Sequence, residues 1–320
     1  MASKLKVNEI TKTSGSGSVE FAGGGADMTG DMSVTGILTL ETLGGAVTVA
    51  SHNLATRPAS PAIGTLIWNT DFNRAEVWNG FVWNRMDVPG GKFPTNGLIV
   101  HLDATDTSSY NGSGTVWTDI SGSGNNFNIV ASAHQGATGS KSAYMDFQGS
   151  HGMAKNGGDI SLSGEVTYIT VTRIKNSTSQ WRTLTRSYNA DHHVIVQSGG
   201  WDIGMYDNNG TGFRGTGFSQ QNLSGYPNNW MVMIWRFSDT DDPTYELTVN
   251  GETVGTRRDS NARYNRGFGS VGGYHGGNQT PSSGSQHWGD IRMFAAYSRR
   301  ITNTEICDAV NVLISKGYLQ

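Results

Sequence analysis

From Gly97 onward, apolar and polar residues alternate in short runs that predict β-strands. Gly97-Leu98-Ile99-Val100-His101-Leu102-Asp103-Ala104 has one apolar and one polar side, and Val116 to Gly122 reads as the segment closing the following loop. Ala143 to Ser150 predicts a strand running into a glycine turn. Val166 to Ile174 has the strict alternation of a sheet with one wet face. Trp230 to Phe237 is more continuously apolar, which places it in the middle of a sandwich. Tyr245 to Gly255 reads as a hairpin, because Asn250-Gly251 is the pair that a type I′ turn requires. Trp288 to Phe294, with Tyr297, predicts a last long strand. After it, Thr302-Asn303-Thr304-Glu305 has the form of a capping box and opens a short helix to about Lys316.

Upstream the pattern is poorer. Met32, Val34, Leu38 and Leu40 share a face if Gly36 is a turn or bulge, and Val47 and Val49 resume the two-residue period after Gly44-Gly45. Strands this short have little to bury and are unstable alone, so residues 1–55 are expected to form a fibrous attachment region held together by copies of itself, a homotrimer. Residues 56–92 read as a small aromatic β connector. Arg57-Pro58 and Ser60-Pro61 give an extended entry, two strands follow through Trp68 and Trp78, and Asn79-Gly80 predicts a two-residue hairpin turn before Phe81-Val82-Trp83. Trp68, Trp78 and Trp83 are expected to stack on one another or across a symmetry axis. Residues 93–320 form the large domain, so the fold class is all-β.

Composition agrees. Forty-four glycines against seven prolines, with nine Trp and eleven each of Tyr and Phe, suit many strands joined by tight turns. A formal net charge of -3 gives no footprint for nucleic acid or an anionic membrane. No apolar run reaches the roughly 18 to 20 residues that span a bilayer, so membrane insertion is not expected. Met1-Ala2-Ser3-Lys4-Leu5-Lys6 lacks the apolar core of a secretory signal, which points to assembly in a cytosol. The single Cys307 excludes an intrachain disulfide.

Lys6 to Gly17, Arg57-Pro58, Gly64 to Thr70 and Trp78 to Trp83 together resemble tail-fibre and fibre-like structural proteins of tailed bacteriophages. The strand order from Gly97 to Glu305 resembles the laminin-G-like, concanavalin-type jelly roll, and the Tyr245 to Gly255 hairpin is the best single match. The resemblance implies a virion protein whose N-terminal region joins other virion proteins and whose C-terminal sandwich binds surface polysaccharide of the bacterial host. Capsid decoration or a baseplate role without receptor binding is the first alternative, and a glycan depolymerase the second.

Candidate chemistry is sparse. Glycoside hydrolases on concanavalin-type folds place two carboxylates on one strand, and no Glu-x-Asp-x-x-Glu occurs here. Neither is there a Gly-x-Ser-x-Gly elbow or a His-Glu-x-x-His, so the expectation is that the chain is not an enzyme. Adjacent His192 and His193 point to opposite faces of an extended strand and do not make a metal site. Calcium is the one cofactor left open, at Asp119 with Asn125 and Asn126 or at Asp239 with Asp241 and Asp242. Arg257-Arg258 and Arg299-Arg300 read as solvated or interchain charges. For a sugar ligand the candidates are Trp201, Arg214, Tyr274 and His275, aromatic and hydrogen-bonding groups in Asn- and Gly-rich stretches. Trp201 and Tyr206 have opposite parity, so a regular strand would present only one of them.

Overall fold

The computed structural model describes residues 49–71, 74–78, 80, 83–86, 93–130, 134–136, 139–147, 152–155, 157–174, 181–187, 191–208, 210, 212–222, 229–241, 243–259, 267–273 and 288–319. Residues Val49–Gln320 form one compact unit. The expected fibrous region lies almost wholly in residues 1–48, outside the described residues.

The connector is a four-stranded sheet of β1 (Ser51–His52), β2 (Leu66–Asn69), β3 (Arg74–Trp78) and β4 (Trp83–Arg85), in that spatial order. Its hairpin differs from the sequence expectation. Trp78 is the cross-strand partner of Trp83, so four residues separate the strands where Asn79-Gly80 predicted two. The reason is packing: the Trp78 and Trp83 rings meet at 5.7 Å, and that contact sets the register. Trp68 takes no part, because it lies on the other face of the sheet from Trp78, as the registers Trp68–Ala75 and Ile67–Glu76 show. One connector face carries a buried ionic hub. The fully buried Glu76 carboxylate accepts from Arg57 Nη2 at 2.5 Å, Asn69 Nδ2 at 2.8 Å and Arg74 Nε at 2.8 Å. Arg74 Nη2 also donates to Cys307 Sγ of the C-terminal helix at 3.0 Å.

The large domain runs through β5 (Leu98–Asp103), β6 (Val116–Trp117), β7 (Phe127–Val130), β8 (His134–Gln135), β9 (Tyr144–Asp146) and β10 (Gly152–Lys155). It continues with β11 (Glu165–Ile174), β12 (Arg182–Arg186), β13 (His192–Val196), β14 (Asp202–Asp207) and β15 (Gly212–Ser219). The last strands are β16 (Met231–Ser238), β17 (Tyr245–Val249), β18 (Glu252–Arg257), β19 (Ser270–Val271) and β20 (Gly289–Tyr297), followed by helix α1 (Asn303–Ser315). The back sheet has the order β18-β17-β16-β11-β20-β9-β8, with β5 also on β20. The front sheet has the order β15-β14-β13-β12-β19-β10-β7-β6. The fold is thus the expected all-β sandwich of large antiparallel sheets.

The core between the sheets holds Trp117, Trp235, Trp288, Tyr168, Tyr245 and Phe237, all fully buried. Polar tips inside it are paired. Tyr168 on the back sheet meets His193 Nδ1 of the front sheet at 2.7 Å, and Trp288 Nε1 donates to Thr172 Oγ1 at 2.8 Å. The back sheet buries its outer face as well. Ile169, Val171, Val232, Ile234 and Met293 point away from the first core and pack under α1 with Ile306, Val310 and Leu313. Burial on both faces explains why β16 reads as a continuous apolar run. Two turn and cap expectations hold in detail. Asn250 and Gly251 have φ of 50° and 92°, the two left-handed positions of a type I′ turn. Thr302 and Glu305 form the reciprocal capping box of α1. Among the described residues no helix is long and apolar enough to cross a membrane.

Candidate functional site

With the back sheet roofed by α1, the outer face of the front sheet is where the sandwich has chemistry to offer. Cross-strand partners share a face, so successive registers trace one row of side chains across the sheet. Phe213 is opposite Tyr206, Tyr206 opposite His192, and His192 opposite Arg186. Arg186 is opposite Ser270, Ser270 opposite Ala154, Ala154 opposite Asn128, and Asn128 opposite Val116. The row crosses all eight strands. The adjacent row, with Met205, Val194, Val271 and Met153, belongs to the core.

The two ends and the centre of the row differ. At the β15 end three half-buried rings cluster, Trp181 meeting Tyr206 edge-on at 5.2 Å and Phe213 at 5.4 Å. The centre is polar and buried: His192, Arg186 and Ser270 are almost inaccessible to water. His192 Nδ1 lies 2.8 Å from Thr183 Oγ1. Burial above all, with Arg186 and His193 nearby, holds its imidazole down to about 3, so it is neutral at physiological pH. His193, on the core side, is likewise held to about 3 by burial alone. The two histidines do point to opposite faces. Among the described residues no group of three His, Cys, Asp or Glu side chains could hold a metal ion.

Of the sequence-derived candidates, Trp201 and Arg214 lie among the described residues and stand in different surroundings. Trp201 is half-buried just before β14, with φ of 62°, so strand parity does not govern it. Its N–H donates to Gln197 O at 3.1 Å and its carbonyl accepts from Gln220 N at 2.9 Å. Arg214 is turned inward. It is the cross-strand partner of Met205 on the core side, is buried, and forms an ion pair with Asp259, so its guanidinium is not presented to solvent. Tyr274 and His275 lie outside the described residues. Sequence reading missed Phe213, which joins the row through pairing, and Trp181, which meets it through ring contacts just before β12.

Three of the four arginines read as solvated or interchain charges have partners within the chain, although Arg257 stays 41% exposed. Arg299 binds Glu305, Arg300 reaches Glu246 at 3.2 Å and Asp241 at 3.3 Å, and Arg257 donates to Gly215 O at 3.1 Å. The Asp119 carboxylate organises its loop, accepting from His101 N at 2.8 Å and from Ser121 N and Asn125 N at 2.9 Å. Those amides occupy the oxygens that calcium would need. Asp242 lies outside the described residues. A shallow cleft away from the row, beside Arg57, Trp83 and Glu252, has room for little more than a water molecule.

No family model matches the chain, and no curated protein matches it. The chain is similar to solved structures. One is the sialidase of Trypanosoma rangeli in complex with sialic acid, at 12% identity and a TM-score of 0.46 over 71% of this chain and 35% of that one. Another is the receptor binding domain of botulinum neurotoxin C/D mosaic serotype, at 14% identity and a TM-score of 0.46 over 68% of this chain and 51% of that one. The chain therefore spans about a third to a half of their length. At such identities and TM-scores the likeness transfers no activity or ligand, and the fold class rests on the sheets themselves. It does correct one expectation. Sialidases stand among the similar structures, so the missing carboxylate motif is no ground for calling the chain a non-enzyme, although no activity is shown.

Proposed function

We propose that the sandwich is a glycan-recognition domain of a virion appendage of the tail-fibre type, mediating adhesion to the bacterial host surface. The observation that carries this reading is the aromatic end of the outer row, Trp181, Tyr206 and Phe213, half-open to water beside the polar centre of that row. Sugar rings present C–H bonds on one side and hydroxyls at the rim, and an aromatic cluster beside hydrogen-bonding groups is complementary to both. The bacteriophage assignment is supported by the resemblance of the N-terminal segment and connector to fibre proteins.

The test is titration of the full-length chain against immobilised bacterial capsular and O-antigen polysaccharides. Saturable binding that Trp181→Ala and Tyr206→Ala each weaken roughly tenfold or more supports the reading, since aromatic anchors dominate such sites. Binding indifferent to both substitutions, or none across the panel, removes it. Reducing ends released in the same wells would add hydrolysis to recognition.

A further inference from the structure

The aromatic end of the outer row has an acid beside it. Gly215 lies two residues along β15 from Phe213 and so shares its face. A side chain on Gly215 would collide with the Asp202 carboxylate and crowd Phe213 Cε1 at 3.0 Å, so the ring edge and the carboxylate meet over this one glycine. Asp202 opens β14 and is half-buried. Its Oδ2 accepts from Gly217 N at 3.3 Å, a long bond, and its buried Oδ1 has no hydrogen-bond partner among the described residues. A buried acceptor without a donor costs stability until water or a ligand supplies one. The torsion that turns a carboxylate is broad and two-fold, so a group held by one long bond can rotate to meet a donor.

The cations nearby are committed elsewhere. Arg182, Arg186 and Arg214 are buried. Arg257 is 41% exposed, but it donates to Gly215 O at 3.1 Å and lies 3.8 Å from Asp259, the ion-pair partner of Arg214. At this edge two guanidiniums, Arg214 and Arg257, stand against two carboxylates, Asp202 and Asp259, with no positive charge in excess.

We infer that Asp202 sets the ligand class of the aromatic site: a neutral glycan whose ring stacks on Phe213 and Tyr206 and whose hydroxyls donate to the Asp202 carboxylate, with carboxylated sugars turned away. This assignment rests on glycan recognition at that site and names what is recognised. A hydroxyl donating to a carboxylate makes a charge-assisted bond, roughly twice as strong as a neutral one. A uronate in the same place brings an ionised group that can only accept, and sets like charges side by side, so the residue that attracts one class repels the other.

The experiment titrates the full-length chain against neutral bacterial polysaccharides and against uronate-bearing ones, each of the latter also after chemical reduction of its carboxyls to primary alcohols. Neutral and reduced polymers are expected to bind at least about tenfold more tightly than the acidic parents. Asp202→Asn should weaken the neutral polymers roughly tenfold and narrow the gap, whereas Arg257→Gln should leave the preference in place. Should Asp202→Asn not fold, the comparison of each acidic polymer with its reduced form on the wild type decides. Tighter binding of the acidic forms overturns the assignment while glycan recognition stands, and so does a neutral preference that Asp202→Asn leaves unchanged. No binding to any polymer removes recognition itself, and the assignment with it.

Discussion

The two sheets of the sandwich put their second faces to opposite uses. Each must bury one face in the common core. The back sheet also buries the other, under α1, with Ile169, Val232, Ile306 and Leu313 in a second apolar layer. The front sheet carries on its outer face a row that is aromatic at one end and polar in the middle. A sandwich needs only one core to fold, so the second face of each sheet is free to be used for stability or for recognition. Here one sheet takes the first use, and its partner keeps groups suited to the second.

That contrast can be broken most directly at the roof. Leu313→Ala removes a side chain 1% exposed beneath α1 and is expected to lower unfolding stability by about 2–5 kcal/mol in urea titration. A loss near zero would mean that the helix is an ornament and the back face is as available as the front.

Acid sharpens the comparison through the adjacent histidines, one in each environment. Both are held down to about 3, against about 6.5 in an unfolded chain. The unfolded chain therefore takes up protons first. The stability gained by keeping both rings neutral is complete above about pH 6.5 and is lost as pH falls towards 3, at up to about 1.4 kcal/mol per pH unit for each histidine. Urea midpoints measured at successive pH values should fall steadily below about 6.5. In His192→Asn the histidine part of that slope should halve, the remainder belonging to His193 in the core. An unchanged slope would mean that the outer row is wet at His192.

The smallest effect is expected at the aromatic end. Trp181→Ala removes two edge-on ring contacts at a half-open position and should cost about 1 kcal/mol of stability. If it costs as much as Leu313→Ala, the front face is core too, and the division between the sheets disappears.

Much of the frame was legible in the sequence because its causes are local. The alternation in β11, the doubly buried run of β16, the Asn250-Gly251 turn and the Thr302 to Glu305 cap each depend on neighbours a few residues away. The site was less legible because its causes are not. The row from Phe213 to Val116 passes from β12 through β19 to β10, strands far apart in the chain, and no periodicity reports that pairing. Trp181 follows the polar run Asn176 to Gln180 and shows no pattern of its own. Arg214, chosen for its polar surroundings, is one residue out of phase with the outer face, which Phe213 occupies. The connector turn was misjudged for the same reason: a contact between two tryptophans outweighed a good turn dipeptide.

The hub at Glu76 bears on mechanics as well as packing. Two guanidinium groups and an amide converge on one buried carboxylate, and one of those arginines also grips Cys307 in α1. The charges of the hub all lie within the connector, so they hold that small sheet to itself, and the link to α1 is the hydrogen bond from Arg74 to Cys307. Breaking that one hydrogen bond would free the helix from the connector while leaving every charge of the hub matched.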